Sequence, residues 1–577
     1  MATRIIGVLI ILSCVLVTAG DSYAGKKQTF EQLCLEALET VQSFYPVRST
    51  EMGIHAYDNR LTDYSSKSVK SMIKRLTGIE KKLYKFKPSK LNSYQQLNKK
   101  LTKATVDVAL LDLKAIKWHK KSPQLYIQEA VDGVYFLLLS NHDPLSERVV
   151  PIIGRMKAVP AHLATARKNI KNPPRVFIEA AMETTETAME FFQQVSGELM
   201  NKFPERADQI LKVSTAAREA MNDYSSWLSD VIPGPETAFA IGKDNFDYKL
   251  GHEYFLQFDS DSLLVLGEQL LNESQTAYRE YEQYVETHHQ NGQDSVFVPA
   301  TFARDDILEY YNWETAQVRT FLELNDLMSI PDDIAPVTVI ETPSFLRTMI
   351  SGIAYQPAAP FDSIQHGYFY VRPIPEDLSR RQLEARFRYT HRRGFKGSVV
   401  HEAYPGHHLQ MQLAGRHVDP VRKWQYNMML IEGWALYCEE MVYHAGLYGE
   451  EDPSRWLGTL GGIQFRAARI VVDVKLHTGQ FTYDEAVAWM TTELNVTTDS
   501  GREYIAKEVR RYCHAPTIQM AYLMGKQEIM NLRRAVEKKE GDTFSLKSFH
   551  DRLLAEGSIP PSLLWDIFDV ERKEKVL

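Results

Sequence analysis

The chain has 577 residues, 44% hydrophobic and 24% charged, the proportions of a globular protein with a large core or several domains. Its formal charge is −7 and no basic stripe stands out, which excludes the electrostatic footprint of a nucleic-acid binder. Past residue 24 no run approaches the roughly eighteen apolar residues of a membrane span, so no transmembrane segment is expected in the mature chain.

In chain order, residues 1–24 read as a secretory signal. Arg4 supplies a short positive region, and residues 5–18 form an almost unbroken apolar run. Ser22-Tyr23-Ala24 offers small residues for cleavage near Ala24, before Gly25. A lipoprotein signal at Cys14 is the less favoured alternative, because the apolar run continues past it to Val17. Removing residues 1–24 takes away Arg4 and Asp21, so the charge stays at −7. The expected location is therefore secreted or periplasmic.

Residues 25–235 are expected to form an N-terminal helical region. Residues 30–44, 97–118 and 180–203 carry apolar side chains at helical intervals, and the Lys-rich stretch 81–103 reads as a solvated helical face and loop. Val231-Ile232-Pro233-Gly234-Pro235 breaks the pattern and marks a boundary. Residues 236–577 are then the expected catalytic region. Helix returns at 260–286, and Val296-Phe297-Val298-Pro299 and residues 368–371 are the best short strands. From 399 to 570 the pattern is helical again, broken at Pro405-Gly406, Pro453 and Pro516. The predicted fold is mainly α with a small β-sheet. Four cysteines occur; with Cys14 in the signal, Cys34, Cys438 and Cys513 remain, so one disulfide at most forms, Cys438–Cys513 being one option. The absence of a C-x-x-C pair speaks against a cysteine zinc site.

One segment concentrates chemistry. His401-Glu402-Ala403-Tyr404-Pro405-Gly406-His407-His408 is followed by Glu432 in Ile431-Glu432-Gly433-Trp434. These are the parts of a zinc hydrolase, a catalytic metal being held by three protein ligands and a water. The spacing differs from H-E-x-x-H. On an unbroken helix His407 would point about 240° away from His401, and His408 would lie about 10 Å further along the axis. Pro405 lacks an N–H and disfavours helical angles at Tyr404, and Gly406 permits angles closed to other residues. A break there could return His407, or alternatively His408, to a metal held by His401. Glu432 lies in an apolar helix, where a carboxylate is costly unless paired or metal-bound. Glu439, two turns on, is a candidate partner to the site.

These residues carry a resemblance. HEAYPGHHLQ from His401, with EGWALY from Glu432, resembles the bacterial "domain of unknown function 885" family, placed among zinc peptidases whose third ligand is a glutamate. Residues 367–371 resemble its strand before the metal helix, and residues 508–512, Pro516, residues 521–522 and Gly525 its C-terminal block. Pro516-Thr517-Ile518-Gln519 departs from the family pattern, which reads Pro-Gly-Gln-Ala there. Set against the H-E-x-G-H-A-L pattern of thimet-oligopeptidase and angiotensin-converting-enzyme relatives, Gly406-His407-His408-Leu409 matches G-H-A-L.

The resemblance implies a gluzincin-like metallopeptidase with Zn2+ on His401, His407 and Glu432, and His408 as the alternative to His407. Glu402 becomes the general base and Tyr522 the donor to the developing oxyanion. Arg511, His514 and Arg372 are lesser candidates for substrate contact. The implied layout is a helical zinc-peptidase-like fold with two halves around a central cleft and the sheet beside the metal helix, where a strand edge can pair with a peptide substrate. Rival readings are a zinc hydrolase of a non-peptide amide or ester, and a non-catalytic helical binding protein; retention of Glu402 argues against the last.

Overall fold

The computed structural model describes residues 28–140, 142–288, 307–343, 346–347, 353–375, 377–383, 395–449 and 453–572. The signal with its cleavage point, Cys14 and the strand expected at Val296-Pro299 lie outside these residues.

Helix starts follow local chemistry. A capping box at Thr29 and Gln32 opens the helix Phe30–Phe44, whose Leu33, Ala37, Val41 and Phe44 are buried at intervals of three and four. The run expected over 97–118 is shorter, spanning Ser93–Leu110. It ends in a π turn, Leu111–Ile116, and Lys117 then takes left-handed angles (φ 60°), which stops the helix. Gln124–Leu139, Leu145–Asn169, Arg175–Lys202 and Ala207–Ser229 pack along one another in the N-terminal part. The expected boundary falls in an irregular stretch, residues 232–235, before a short 3₁₀ turn at Glu236–Phe239.

Two helix pairs build the C-terminal part. Met428–His444 packs on Ile518–Glu540, and Ser260–His288 packs on Pro453–His477. The first pair approaches backbone to backbone. A Cβ on Gly525 would fall 1.9 Å from the Met429 carbonyl oxygen, and one on Gly433 would fall 2.5 Å from Gly525. Only glycine fits at both positions. Burial then closes the molecule around two apolar clusters. One runs from Phe30 through Phe369, Val399 and Trp434 to Phe568. The other gathers Leu263, Ile470, Tyr512 and Leu523. Cys438 belongs to the first and Cys513 to the second, and both are buried free thiols, so the Cys438–Cys513 option is not taken.

The chain is mainly helical with one small sheet of order β1-β3-β2. β1 (Thr338–Glu341) runs parallel to β3 (Tyr368–Val371), and β2 (Ile353–Gln356) antiparallel to it. Phe369, Tyr370 and Val371 of the central strand are buried, and β2 is left as an edge. Among the described residues no helix is long and apolar enough to cross a membrane.

Candidate metal centre

The chain breaks at Pro405-Gly406. One helix, Phe395–Glu402, ends just before it and another, His407–Gly415, begins just after. The two helices approach so closely that a Cβ on Gly406 would lie 1.9 Å from the His401 carbonyl oxygen. The Gly406 N–H donates to the Val400 carbonyl (3.0 Å). The turn thus spends its extra residues outside both helices and folds His407 back beside His401. Their rings sit 4.7 Å apart, nearly perpendicular.

The third member arrives on a different helix. Glu432 Oε2 lies 3.5 Å from His401 Nε2 and 3.7 Å from His407 Nε2. These separations are too long for hydrogen bonds. They match a shared metal instead, since two ligands about 2.1 Å from a tetrahedral zinc lie roughly 3.4 Å apart. Glu432 Oε2 is buried with no hydrogen-bond partner, an expensive arrangement for a carboxylate oxygen unless a cation completes it. Two imidazoles and one carboxylate form a donor set that zinc accepts. The residues fit the ion.

The segment Glu432-Gly433-Trp434 has a role at each position. Glu432 faces the histidines. Gly433 allows contact with Gly525, which brings Tyr522, one turn earlier, up to Glu432. The fully buried Trp434 donates its indole N–H to the Pro405 carbonyl (2.8 Å), tying the turn between the histidines to the glutamate's helix.

Around this core, His401 Nδ1 bonds Glu439 Oε1 at 2.7 Å, the carboxylate–histidine pairing that fixes ring tautomer and orientation in metal sites. Burial disfavours the charged form of His401, but Glu432 and Glu439 outweigh it and push its pKa to about 10. Burial would raise Glu432, yet the two histidines and Tyr522 hold it down at about 2. His407 is lowered, chiefly by burial. His408 is fully buried and turned elsewhere. Its Nδ1 pairs with the Tyr355 hydroxyl and its Nε2 with the Ala335 carbonyl, both at 3.0 Å, leaving no nitrogen for a metal. Burial lowers its pKa to about 4.

Glu402 accepts a hydrogen bond from the Tyr355 backbone N–H of edge strand β2 (3.2 Å). Tyr522 lies near Glu432, and burial together with that carboxylate raises its pKa to about 12. The lesser candidates fall further out. Arg511 pairs with Glu508 (2.7 Å), His514 stacks on Phe177 (3.9 Å), and Arg372 is exposed just past β3. Two residues absent from the sequence reading stand by the site. Arg469 lies 4.2 Å from the Tyr522 ring centre, and Arg466 lies 5.9 Å from it. Arg466, Arg469, Asp473 and His477 recur at helical spacing along the helix Pro453–His477, but that helix also carries Arg455, Gln464 and Lys475, so the sequence alone did not single them out. A cavity of about 730 Å³ is lined by N-terminal side chains such as Tyr45 and Gln124, by His514 and by residues 424–427, which lead into the Glu432 helix.

A second grouping, His55, His142 and Asp362, also places potential ligand atoms near one another. Both nitrogens of His55 are already engaged, by Asp58 (2.7 Å) and Asp362 (2.8 Å), so it reads as an ion-paired clamp.

The sequence profile described as bacterial protein of unknown function (DUF885) matches residues 46–567. The chain belongs to the DUF885 family. No curated protein matches it. Two solved structures share the DUF885 chain's fold. One is a candidate lipoprotein of unknown function from Shewanella oneidensis, with TM-score 0.73 and 20% identity, covering 94% of this chain and 100% of its own. The other is a candidate lipoprotein from Colwellia psychrerythraea, with TM-score 0.74 and 18% identity, covering 94% and 99%. At these identities the likeness concerns the fold alone.

Proposed function

We propose that the protein is a zinc-dependent peptidase of gluzincin-like type, acting outside the cytoplasm on short or flexible peptides. The observation that carries this reading is the convergence of two imidazole Nε2 atoms on one unpartnered Glu432 oxygen, with Glu402 next to the first histidine. A site that only stabilised the fold would need no such base. His401, His407 and Glu432 would hold the ion. When bound, zinc supplies Lewis acidity, which polarises a carbonyl and makes a water more acidic.

The chain's own groups do the remaining work. Glu402 takes a proton from the attacking water and returns it to the leaving amine. Tyr522 donates a hydrogen bond to the oxygen on which charge develops. Edge strand β2, which meets Glu402 through the Tyr355 N–H, offers backbone groups to an extended peptide. A central cleft is part of this reading; a cavity in the range of ordinary ligand sites lies between the N-terminal helices and residues 424–427, but none of His401, Glu402, His407, Glu432 and Tyr522 lines it. An extracytoplasmic location is supported by the apolar run at residues 5–18 and by the candidate lipoproteins that share the fold.

The test is metal analysis with peptide hydrolysis, on wild type and on Glu402→Gln. One zinc per chain is expected in both, with hydrolysis lost only in the variant, by at least about 100-fold. Zinc absent from wild type, or hydrolysis undiminished in Glu402→Gln, overturns the reading. Hydrolysis of small esters or non-peptide amides alone would keep the chemistry and move the substrate class.

A further inference from the structure

Arg466 and Arg469 sit one turn apart on the helix Pro453–His477, and both guanidiniums lie near the ring of Tyr522. Arg469 is buried, at 5% exposure, and among the described residues no carboxylate lies within 4 Å of it. Its Nη2 donates to the Gln519 side-chain oxygen, and its Nε has no partner. Asp473 and Glu508 act on it only from further away, and each has other bonds. Asp473 accepts the Thr517 and Met520 N–H groups, and Glu508 accepts from Arg511 and the Tyr512 hydroxyl.

Arg466 is partly open, with 20% of its side chain exposed. It donates to the Gly462 carbonyl (3.2 Å), and its Nε is also unpartnered. Its nearest carboxylate among the described residues is Glu439 at 3.9 Å, already committed to His401 at 2.7 Å. Two cations so placed are undersupplied with negative charge. A buried guanidinium without an ion pair is costly, and stacking on tyrosine rings recovers only part of the loss. An anion arriving with the substrate would complete the arrangement.

The position limits which anion. Successive backbone carbonyl carbons lie under about 4 Å apart, so a C-terminal carboxylate one or two residues past the scissile bond is about 4–8 Å from the reacting carbon. Two contacts set Arg466 close to the site: its guanidinium lies 5.9 Å from the Tyr522 ring centre and 3.9 Å from Glu439, which itself bonds His401.

We propose that Arg466, with Arg469 behind it, binds the free C-terminal carboxylate of the peptide, so that the protein is an exopeptidase releasing one or two residues from the C-terminus. This rests on the peptidase reading above. Guanidinium suits the task because its planar donors match a carboxylate in pairs.

The experiment compares N-acetylated peptides ending in a free acid with the same peptides ending in an amide, using the zinc-loaded protein and mass spectrometry of products. The free acid should be cleaved with kcat/KM on the order of 100-fold higher, near its C-terminus. In Arg466→Gln the acid-to-amide ratio should fall towards one, mostly through KM, with partial recovery in Arg466→Lys and zinc content unchanged. Equal cleavage of acid and amide, or cleavage far from the end, overturns the proposal and leaves the peptidase reading standing. A loss in Arg466→Gln that falls equally on both peptides marks a structural role through Glu439 and also overturns it. If neither peptide is cleaved, the peptidase reading fails. Calorimetric binding of both peptides to zinc-loaded Glu402→Gln then decides the carboxylate site, equal affinity overturning it.

Discussion

Side-chain commitments separate the two adjacent histidines. His407 Nε2 points at the glutamate it shares with His401, whereas both nitrogens of His408 are spent on Tyr355 and Ala335. His407→Ala is therefore expected to lose the zinc. His408→Ala should keep it while losing about 2–3 kcal/mol of stability, from a cavity and two unpaired buried groups. Metal content and thermal unfolding of both variants check this; zinc lost from His408→Ala and kept in His407→Ala would reverse the assignment. Glu439 makes a subtler contribution by orienting His401. Glu439→Gln should weaken zinc binding by about 10–100-fold in chelator competition without abolishing it. That histidines and a carboxylate cluster here was legible from HEAYPGHH and Glu432, because those side chains are costly to bury idle. Which histidine faces Glu432 was not legible, since it depends on where a turn aims two neighbouring rings.

Contact between two helices sets the distance from Glu432 to Tyr522. Gly433 and Gly525 let the backbones of Met428–His444 and Ile518–Glu540 meet, and this places Tyr522 beside Glu432. Gly525→Ala would drive a methyl group into the Met429 carbonyl. It is expected to cost about 3 kcal/mol or more, and to reduce hydrolysis further than the lost stability explains. Denaturant titration together with kcat on the folded fraction checks this; a stable, fully active variant would show that the close approach is dispensable. Helical periodicity announced these helices clearly. It carried no information on which of them touch, and Arg466 and Arg469 went unread because their importance lies in a neighbour 53 residues or more away in sequence.

Across the whole molecule, His55 joins the N-terminal helices to the loop between β2 and β3 through Asp58 and Asp362. Burial opposes its charge, but the two aspartates prevail and raise its pKa to about 9. The sign follows from the unfolded value of about 6.5. The stabilisation from His55 is fully present below about pH 6.5 and is lost as pH rises through about 9. Wild type should lose thermal stability across that window relative to His55→Asn, whose curve should be flatter; parallel curves would remove the clamp from the account. The sequence by itself determined the helical class, the small sheet's central strand, the break at Pro405-Gly406 and the residue types of the candidate metal site. These follow from periodicity, backbone chemistry and the cost of buried charge, which are local. Only the tertiary structure decided that His407 joins His401, that Glu439 supports it, that Trp434 secures the turn and that two arginines flank Tyr522. Each of those depends on chain segments far apart in sequence meeting within a few ångströms, and only the packing of the core brings them there.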